Sequence, residues 1–135
     1  MSSCVAAKKS LTVYEGGTFD HEIAWEIGDP AVAVDLTGCQ VYGFVKVAVT
    51  DTAYLIELPN QSASWVPDAS TGCYLPDPIN GVFKIYIKDE DTFICTDHAD
   101  IVGVYNVFVN SPEDEVILKV YGSMTIKAAV GNPNV

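Results

Sequence analysis

Residues 16–38, GGTFDHEIAWEIGDPAVAVDLTG, leave the chain few ways to fold. Phe19, His21, Ile23, Trp25 and Ile27 alternate with Thr18, Asp20, Glu22, Ala24 and Glu26. A period of two marks an extended strand with one covered face. A slip of one residue moves Trp25 into water and Glu22 and Glu26 into the core, so register is firmly specified. Gly16 and Gly17 precede the strand and are free to take positive φ. Gly28-Asp29-Pro30 reads as a turn, and Asp35-Leu36-Thr37-Gly38 as a second one. In that second turn Asp35 is expected to cap a backbone N–H, Gly38 to go left-handed, and Leu36 to plug one end of the core. Gly17, Phe19, Trp25, Asp35, Leu36 and Gly38 are therefore the predicted turn and core residues.

The rest of the chain repeats this pattern in short lengths. Leu11 to Tyr14 reads as a first strand. Cys39 to Val49 is apolar on both faces, with Val41, Val45 and Val47 on one and Tyr42, Phe44 and Ala48 on the other. Such a strand is central, or its outer face meets a partner. Tyr54 to Leu58 is a short strand stopped by Pro59. Residues 60–81 are irregular, with one short strand expected near 62–66. Asn80-Gly81 is a turn signal before Val82 to Lys88, where Phe83, Ile85 and Ile87 point inward and Lys84 and Lys88 outward. Asp89 to Thr92 is placed as one helical turn with acids at its start, and Phe93 and Ile94 as tucking it against the core. Gly103 to Val109 and Glu115 to Ile126 form the best hairpin, with Gly122 marking a bulge or a close backbone approach.

Seven or eight short strands with no helical periodicity predict an all-β fold, an antiparallel β-sandwich of Ig-like architecture with at most one helical turn. A chain of 135 residues fits one domain and buries a real core. The expected organisation is a flexible arm at 1–9, the sandwich at 10–128 and a loose tail at 129–135.

Charge and motifs narrow the chemistry. Eighteen acids against seven bases give −11, which argues against nucleic acid and against an anionic membrane surface. The N-terminus lacks the apolar core of a secretory signal, and no window reaches the length of a membrane span. Cys4, Cys39, Cys73 and Cys95 form no CxxC and are read as reduced thiols, with Cys39 and Cys95 as small core residues. The sequon Asn60-Gln61-Ser62 is discounted with the missing signal. His21 lies on the apolar face and reads as a core or interface histidine. Asp97-His98-Ala99-Asp100 and Asp89-Glu90-Asp91 match no metal-site spacing and read as solvated turns. Glu113-Asp114-Glu115 sits at a hairpin tip and offers no cleft for glycoside chemistry. There is no nucleophile elbow, no Cys–His pair at a familiar spacing and no phosphate loop. No catalytic residue, cofactor or metal is predicted. Trp65, Tyr74 and Tyr54 flank the irregular region and could form a sugar platform.

The order of motifs carries a resemblance. A strand is followed by G-G-T-F, an alternating strand ending in Trp-x-Ile, D-L-T-G, and a long strand with one basic residue, Lys46. Later come G-x-F-K-I-Y-I, an acidic turn with Thr, an aromatic-centred strand at Val104 to Val107, and the closing V-Y-G-S-M-T-I. Over residues 11–127 the chain resembles the small β-sandwich domain of tailed-bacteriophage virion proteins, and is similar to the N-terminal domain of siphophage upper baseplate proteins. Gly17-Thr18-Phe19 and Asp35 to Gly38 carry the match best, Lys46 stands where the family often has Arg, and Gly122 matches a family glycine. The resemblance implies a non-enzymatic, multi-copy virion structural protein of the tail, baseplate or neck. It would bridge other virion proteins of the tail, neck or capsid as a homo-oligomer or in many copies in the particle, and reach the particle from the host cytoplasm. A capsid decoration protein and a stand-alone carbohydrate-binding module are the alternatives. The candidate contact residues are Lys8, Lys9, Tyr42, Phe44, Trp65, Tyr74 and Leu75, with the N-terminal arm and C-terminal tail.

Overall fold

A computed structural model describes residues 5–28, 30–48, 53–61, 70–95 and 99–128. Trp65, the strand expected near 62–66, Cys4, Asp97, His98 and the tail at 129–135 lie outside these. The described chain is all-β, a sandwich-like fold of eleven strands. In chain order these are β1 (Val5–Lys8), β2 (Leu11–Tyr14), β3 (Phe19–Ala24), β4 (Glu26–Ile27), β5 (Val32–Ala33), β6 (Gln40–Lys46), β7 (Ile56–Leu58), β8 (Gly72–Asp77), β9 (Val82–Ile87), β10 (Ile101–Asn110) and β11 (Val116–Lys127). The larger sheet runs β1-β11-β10-β6-β7, with β2 also on β11; the smaller runs β3-β9-β8, and β4–β5 is a separate ribbon.

The strand count exceeds the seven or eight expected, and each addition has a physical origin. The 1–9 segment is not an arm throughout: from Val5 it is a strand. Twelve-residue β11 is far longer than β2, and β1 covers the part of its edge that β2 leaves bare. Both pair with β11 in parallel, β1 from Leu118 to Tyr121 and β2 from Met124 to Lys127, so the sheet is not purely antiparallel. Trp25 splits the 18–27 run. Its N–H donates to the Gly81 carbonyl at 2.9 Å and its carbonyl accepts from Val34 N–H at 3.0 Å, passing the chain from β9 to the ribbon. A Cβ at Gly81, whose φ is 73°, would collide with that Trp25 carbonyl and with Val34. β8 lies within the irregular stretch; Pro76 cannot donate to a ladder, and the register with β9 shifts between Tyr74 and Asp77. Two 3-10 turns form instead of one, at Pro78–Asn80 and Asp89–Thr92.

The core lies between the sheets. Val41, Val45, Tyr105, Val107, Val109, Leu118 and Val120 from the larger sheet meet Cys73, Phe83, Ile85 and Ile87 from the smaller. Phe19, Ile23 and Trp25 are half-buried and pack against this cluster. Leu36 is fully buried at the end of the core, as its turn predicts. Asp35 Oδ1 accepts from Thr37 N–H at 2.9 Å, and Gly38 has φ 81°. Gly16, with φ 86°, makes the first tight turn, and Gly17 closes it through Tyr14 at 2.9 Å.

Four side chains depart from the alternation pattern. Ile27 is 53% exposed because β4 pairs only with β5. Val47 lies past the end of β6, and Phe93 past the acidic turn; both are exposed. Lys84 faces outward on β9 yet is 4% exposed. It is central in a three-stranded sheet, flanked by Glu22 and Tyr74 in register, and its Nζ pairs with Asp20 at 2.9 Å and Glu22 at 3.6 Å. Cys73, beyond the two cysteines expected in the core, is wholly buried, and burial pushes its thiol far up.

Candidate functional site

The side chains of most interest are those that alternate out of the larger sheet. On β6, Val41 and Val45 enter the core, so Tyr42, Phe44 and Lys46 face the other way. Register extends each of them across the sheet. Tyr42 stands opposite Phe108, which stands opposite Lys119, then Ala6. Phe44 is flanked by Glu57 on β7 and by Asn106 on β10, and the row continues to Tyr121 and Lys8. Lys46 stands opposite Val104, then Ser123.

The rings on this face touch one another. Tyr42 and Phe108 have centroids 5.5 Å apart, and Phe44 lies 6.1 Å from Phe108. Tyr54, beyond the end of β6, stacks on Phe44 at 5.0 Å with the planes 14° apart. Lys46 Nζ sits 4.7 Å from the Phe44 centroid and 5.3 Å from Tyr54, and Lys119 Nζ sits 5.3 Å from Tyr121. Each is an ammonium over the negative face of a ring. A shallow depression of about 290 Å³ is lined by Tyr42, Phe44, Tyr54 and Glu57. A larger one of about 470 Å³ lies toward the other edge, between Lys8, Ser10, Asn106, Lys119 and Tyr121.

The electrostatics of the face run against those of the molecule. Among the described residues, the rows just traced bear Lys8, Lys46 and Lys119 against Glu57, in a chain of net charge −11; Lys127, farther along β11, is paired with Asp100. Among the described residues the salt bridges go to Lys84, Lys88 and Lys127, not to these three.

The sequence-predicted contact residues separate. Tyr42 and Phe44 lie at the centre of this face and Lys8 at its β1 edge. Lys9 is exposed but turns away, close enough to His21 to act on its charge. Its backbone anchors the chain between β1 and β2: Lys9 N–H donates to the Tyr121 carbonyl at 2.8 Å, and the Tyr105 hydroxyl donates to the Lys9 carbonyl at 2.7 Å. Burial pushes the Tyr105 phenol up to about 12. Gly122 belongs to the same junction: a Cβ there would overlap the Lys9 carbonyl, so the glycine marks a close approach. Tyr74 is not a surface residue. It is 4% exposed, its hydroxyl donates to the Ser70 carbonyl at 2.6 Å, and its ring meets Tyr86 edge-on. Leu75 is half-buried against the core. Trp65 lies outside the described residues.

Phe108, Asn106, Lys119 and Tyr121 were not singled out as contact residues from the sequence. Their signal was the outward phase of the 101–127 hairpin, legible only once its register with β6 is known.

The remaining titratable groups do not converge on this face. His21 stacks on Phe19 with centroids 6.0 Å apart, and burial, with Lys9 nearby, holds it below its ordinary 6.5 against the pull of Asp20. Among the described residues no group of three His, Cys, Asp or Glu side chains is placed to hold a metal ion. Cys39, Cys73 and Cys95 are free thiols. The arrangement suits adhesion, through rings that lose water and ammonium groups that meet carboxylates. No protein-family model matches the chain, and no curated protein matches it.

Proposed function

We propose that the chain is a non-enzymatic structural protein of a tailed-bacteriophage virion, present in many copies, that bridges neighbouring proteins of the tail, baseplate or neck. The observation that carries this reading is the outer face of the larger sheet, where Tyr42, Phe44 and Phe108 on the strands and Tyr54 beside them form a run of neighbouring rings next to three lysines that take part in no salt bridge among the described residues. A face of that kind works by what it adheres to. The resemblance supports the habitat. Its best-matching residues, Gly17-Thr18-Phe19 and Asp35 to Gly38, are here the turns that start β3 and seal the core with Leu36. A mass-spectrometric inventory of purified particles tests the reading. The protein is expected in many copies per particle, as in assemblies built by repeated symmetric contacts. Its absence from the particle overturns the proposal. Gold labelling of the same particles separates a tail or neck position from a capsid decoration role.

A second reading, a carbohydrate-binding module, is favoured by the stacked Phe44–Tyr54 pair beside the depression of about 290 Å³. Sugars stack on exposed rings of this kind. A glycan array probed with the native chain and with Phe44→Ala decides it: binding lost in the variant supports a lectin-like role, and a silent array removes it.

A further inference from the structure

We infer that the aromatic and basic face docks onto a second copy of this chain, specifically onto the acidic end formed by the 111–115 hairpin tip and the Asp35 turn. The proposal goes beyond the virion reading and stands without it, since the contact is a property of the pure protein.

Charge selects the occupant. Three lysines and one glutamate give the face +2, so the other four lysines and seventeen acids leave −13 on the rest of the chain. A second copy therefore offers strongly acidic surface to a basic patch whose lysines form no salt bridge among the described residues. Face-to-face pairing of two copies sets lysines against lysines and is disfavoured. The contact must join unlike surfaces.

One acidic surface is both built and exposed, with Asp114 Oδ1 accepting from Asn110 Nδ2 at 3.2 Å. Several other acids are engaged at home: Asp20 and Glu22 with Lys84, Glu90 with Lys88, Asp100 with Lys127. The tip between β10 and β11 is exposed from Pro112 to Val116 and carries Glu113 and Asp114. Its backbone is locked: Ser111 N–H donates to the Glu115 carbonyl at 2.7 Å and Asp114 N–H to the Ser111 carbonyl at 2.9 Å. Ser111 Oγ accepts from Glu113 N–H at 3.2 Å. The Asp35 turn leans on it, since a Cβ at Gly38 would lie 3.2 Å from the Pro112 ring. Asp35 is itself held ionised by the Thr37 hydroxyl and N–H. The tip is thus an exposed acidic projection with its backbone hydrogen-bonded in place, beside a small depression of about 180 Å³ lined by Gly38, Gln40, Ser111, Pro112 and Asp114. The opposing face is broad and shallow, with Lys46 and Lys119 flanking the rings.

The size of the face sets the strength. Five strands at about 4.8 Å spacing make it roughly 20 Å across. That places the contact in the small, reversible class, formed in number and not singly. Because it joins unlike surfaces, a pair of copies still leaves one face and one tip free, and repetition gives a ring or a filament.

The test uses the full chain in sedimentation equilibrium at low salt, from about 10 μM to about 1 mM, the range of a weak contact. Association that weakens as salt is raised is expected. Lys46→Glu with Lys119→Glu, and separately Glu113→Lys with Asp114→Asn, are each expected to weaken it about tenfold or more. Lys46→Gln with Lys119→Gln gives a milder loss and guards against misfolding, which near-UV circular dichroism monitors. An equimolar mixture of the two charge-altered proteins is expected to associate again, because each retains the surface the other lacks. A native chain that stays monomeric throughout, association untouched by both variants, or a mixture that fails to associate overturns the proposal. None of these results bears on whether the protein is found in particles.

Discussion

Lys84 provides a demanding test of the packing. Its side chain is 5% exposed, whereas those of Asp20 and Glu22 are 39% and 59% exposed. The two halves of this ion pair therefore respond differently to removal. Lys84→Met keeps the buried stem, removes a desolvated charge, and leaves two carboxylates that water already reaches. The loss should be small, about 0–1 kcal/mol, as for an exposed pair. Asp20→Asn with Glu22→Gln does the opposite, because an ammonium stays buried after its carboxylates are neutralised. Breaking a buried pair from that side costs about 3–5 kcal/mol when both partners are buried. The half-exposed carboxylates and the amides that replace them reduce this to about 2 kcal/mol. Urea unfolding at neutral pH reads the difference as a midpoint about 1 M lower for the double variant than for Lys84→Met. Added salt should narrow the gap only slightly, since burial shields the pair from screening. A larger loss for Lys84→Met than for the double variant would refute the reasoning.

Other outcomes follow from the same structure. Leu36→Ala should cost about 3 kcal/mol, lowering the melting temperature by roughly 10 °C, because Leu36 is wholly buried where one turn seals the core. Gly122→Ala should destabilise by about 2 kcal/mol or more and speed hydrogen exchange in β1, because its methyl meets the Lys9 carbonyl; Tyr105→Phe, losing one buried hydrogen bond to that carbonyl, should cost about 1 kcal/mol. His21 is held below 6.5 in the fold, so the unfolded chain binds more protons near that pH and stability falls as pH drops through it. Melting curves from pH 7.5 to 5 should show this fall, and His21→Phe should flatten it; carboxylates such as Asp35, held low by hydrogen bonds, act only at more acid pH.

Much of the fold was legible because it rests on local chemistry. The Asp35-Leu36-Thr37-Gly38 turn states its own cap, its buried plug and its left-handed glycine, and all three are present. The 101–127 hairpin likewise announced itself through alternation and a turn-forming loop. What stayed hidden depends on neighbours far along the chain. Val5 to Lys8 has no pattern of its own and becomes a strand because β11 presents an uncovered edge. Lys84 looked solvated because alternation says which face it takes, not whether that face is crowded. Tyr74 looked like a contact residue because its segment is rich in proline and glycine, yet β9 draws it into the smaller sheet. The candidate site was half visible. Tyr42, Phe44 and Lys8 were named from local cues, whereas Phe108, Lys119 and Tyr121 join them only through register across three strands.

The central claim is that the outer face of the larger sheet is covered by another molecule of this chain. Zero-length cross-linking of lysine to carboxylate, in an equal mixture of light and heavy isotope-labelled protein, tests it most directly. The account expects mixed-isotope links that join Lys46 or Lys119 of one copy to Glu113 or Asp114 of another. Mixed links confined to Lys84, Lys88 and Lys127, or links formed only within single copies, would contradict it.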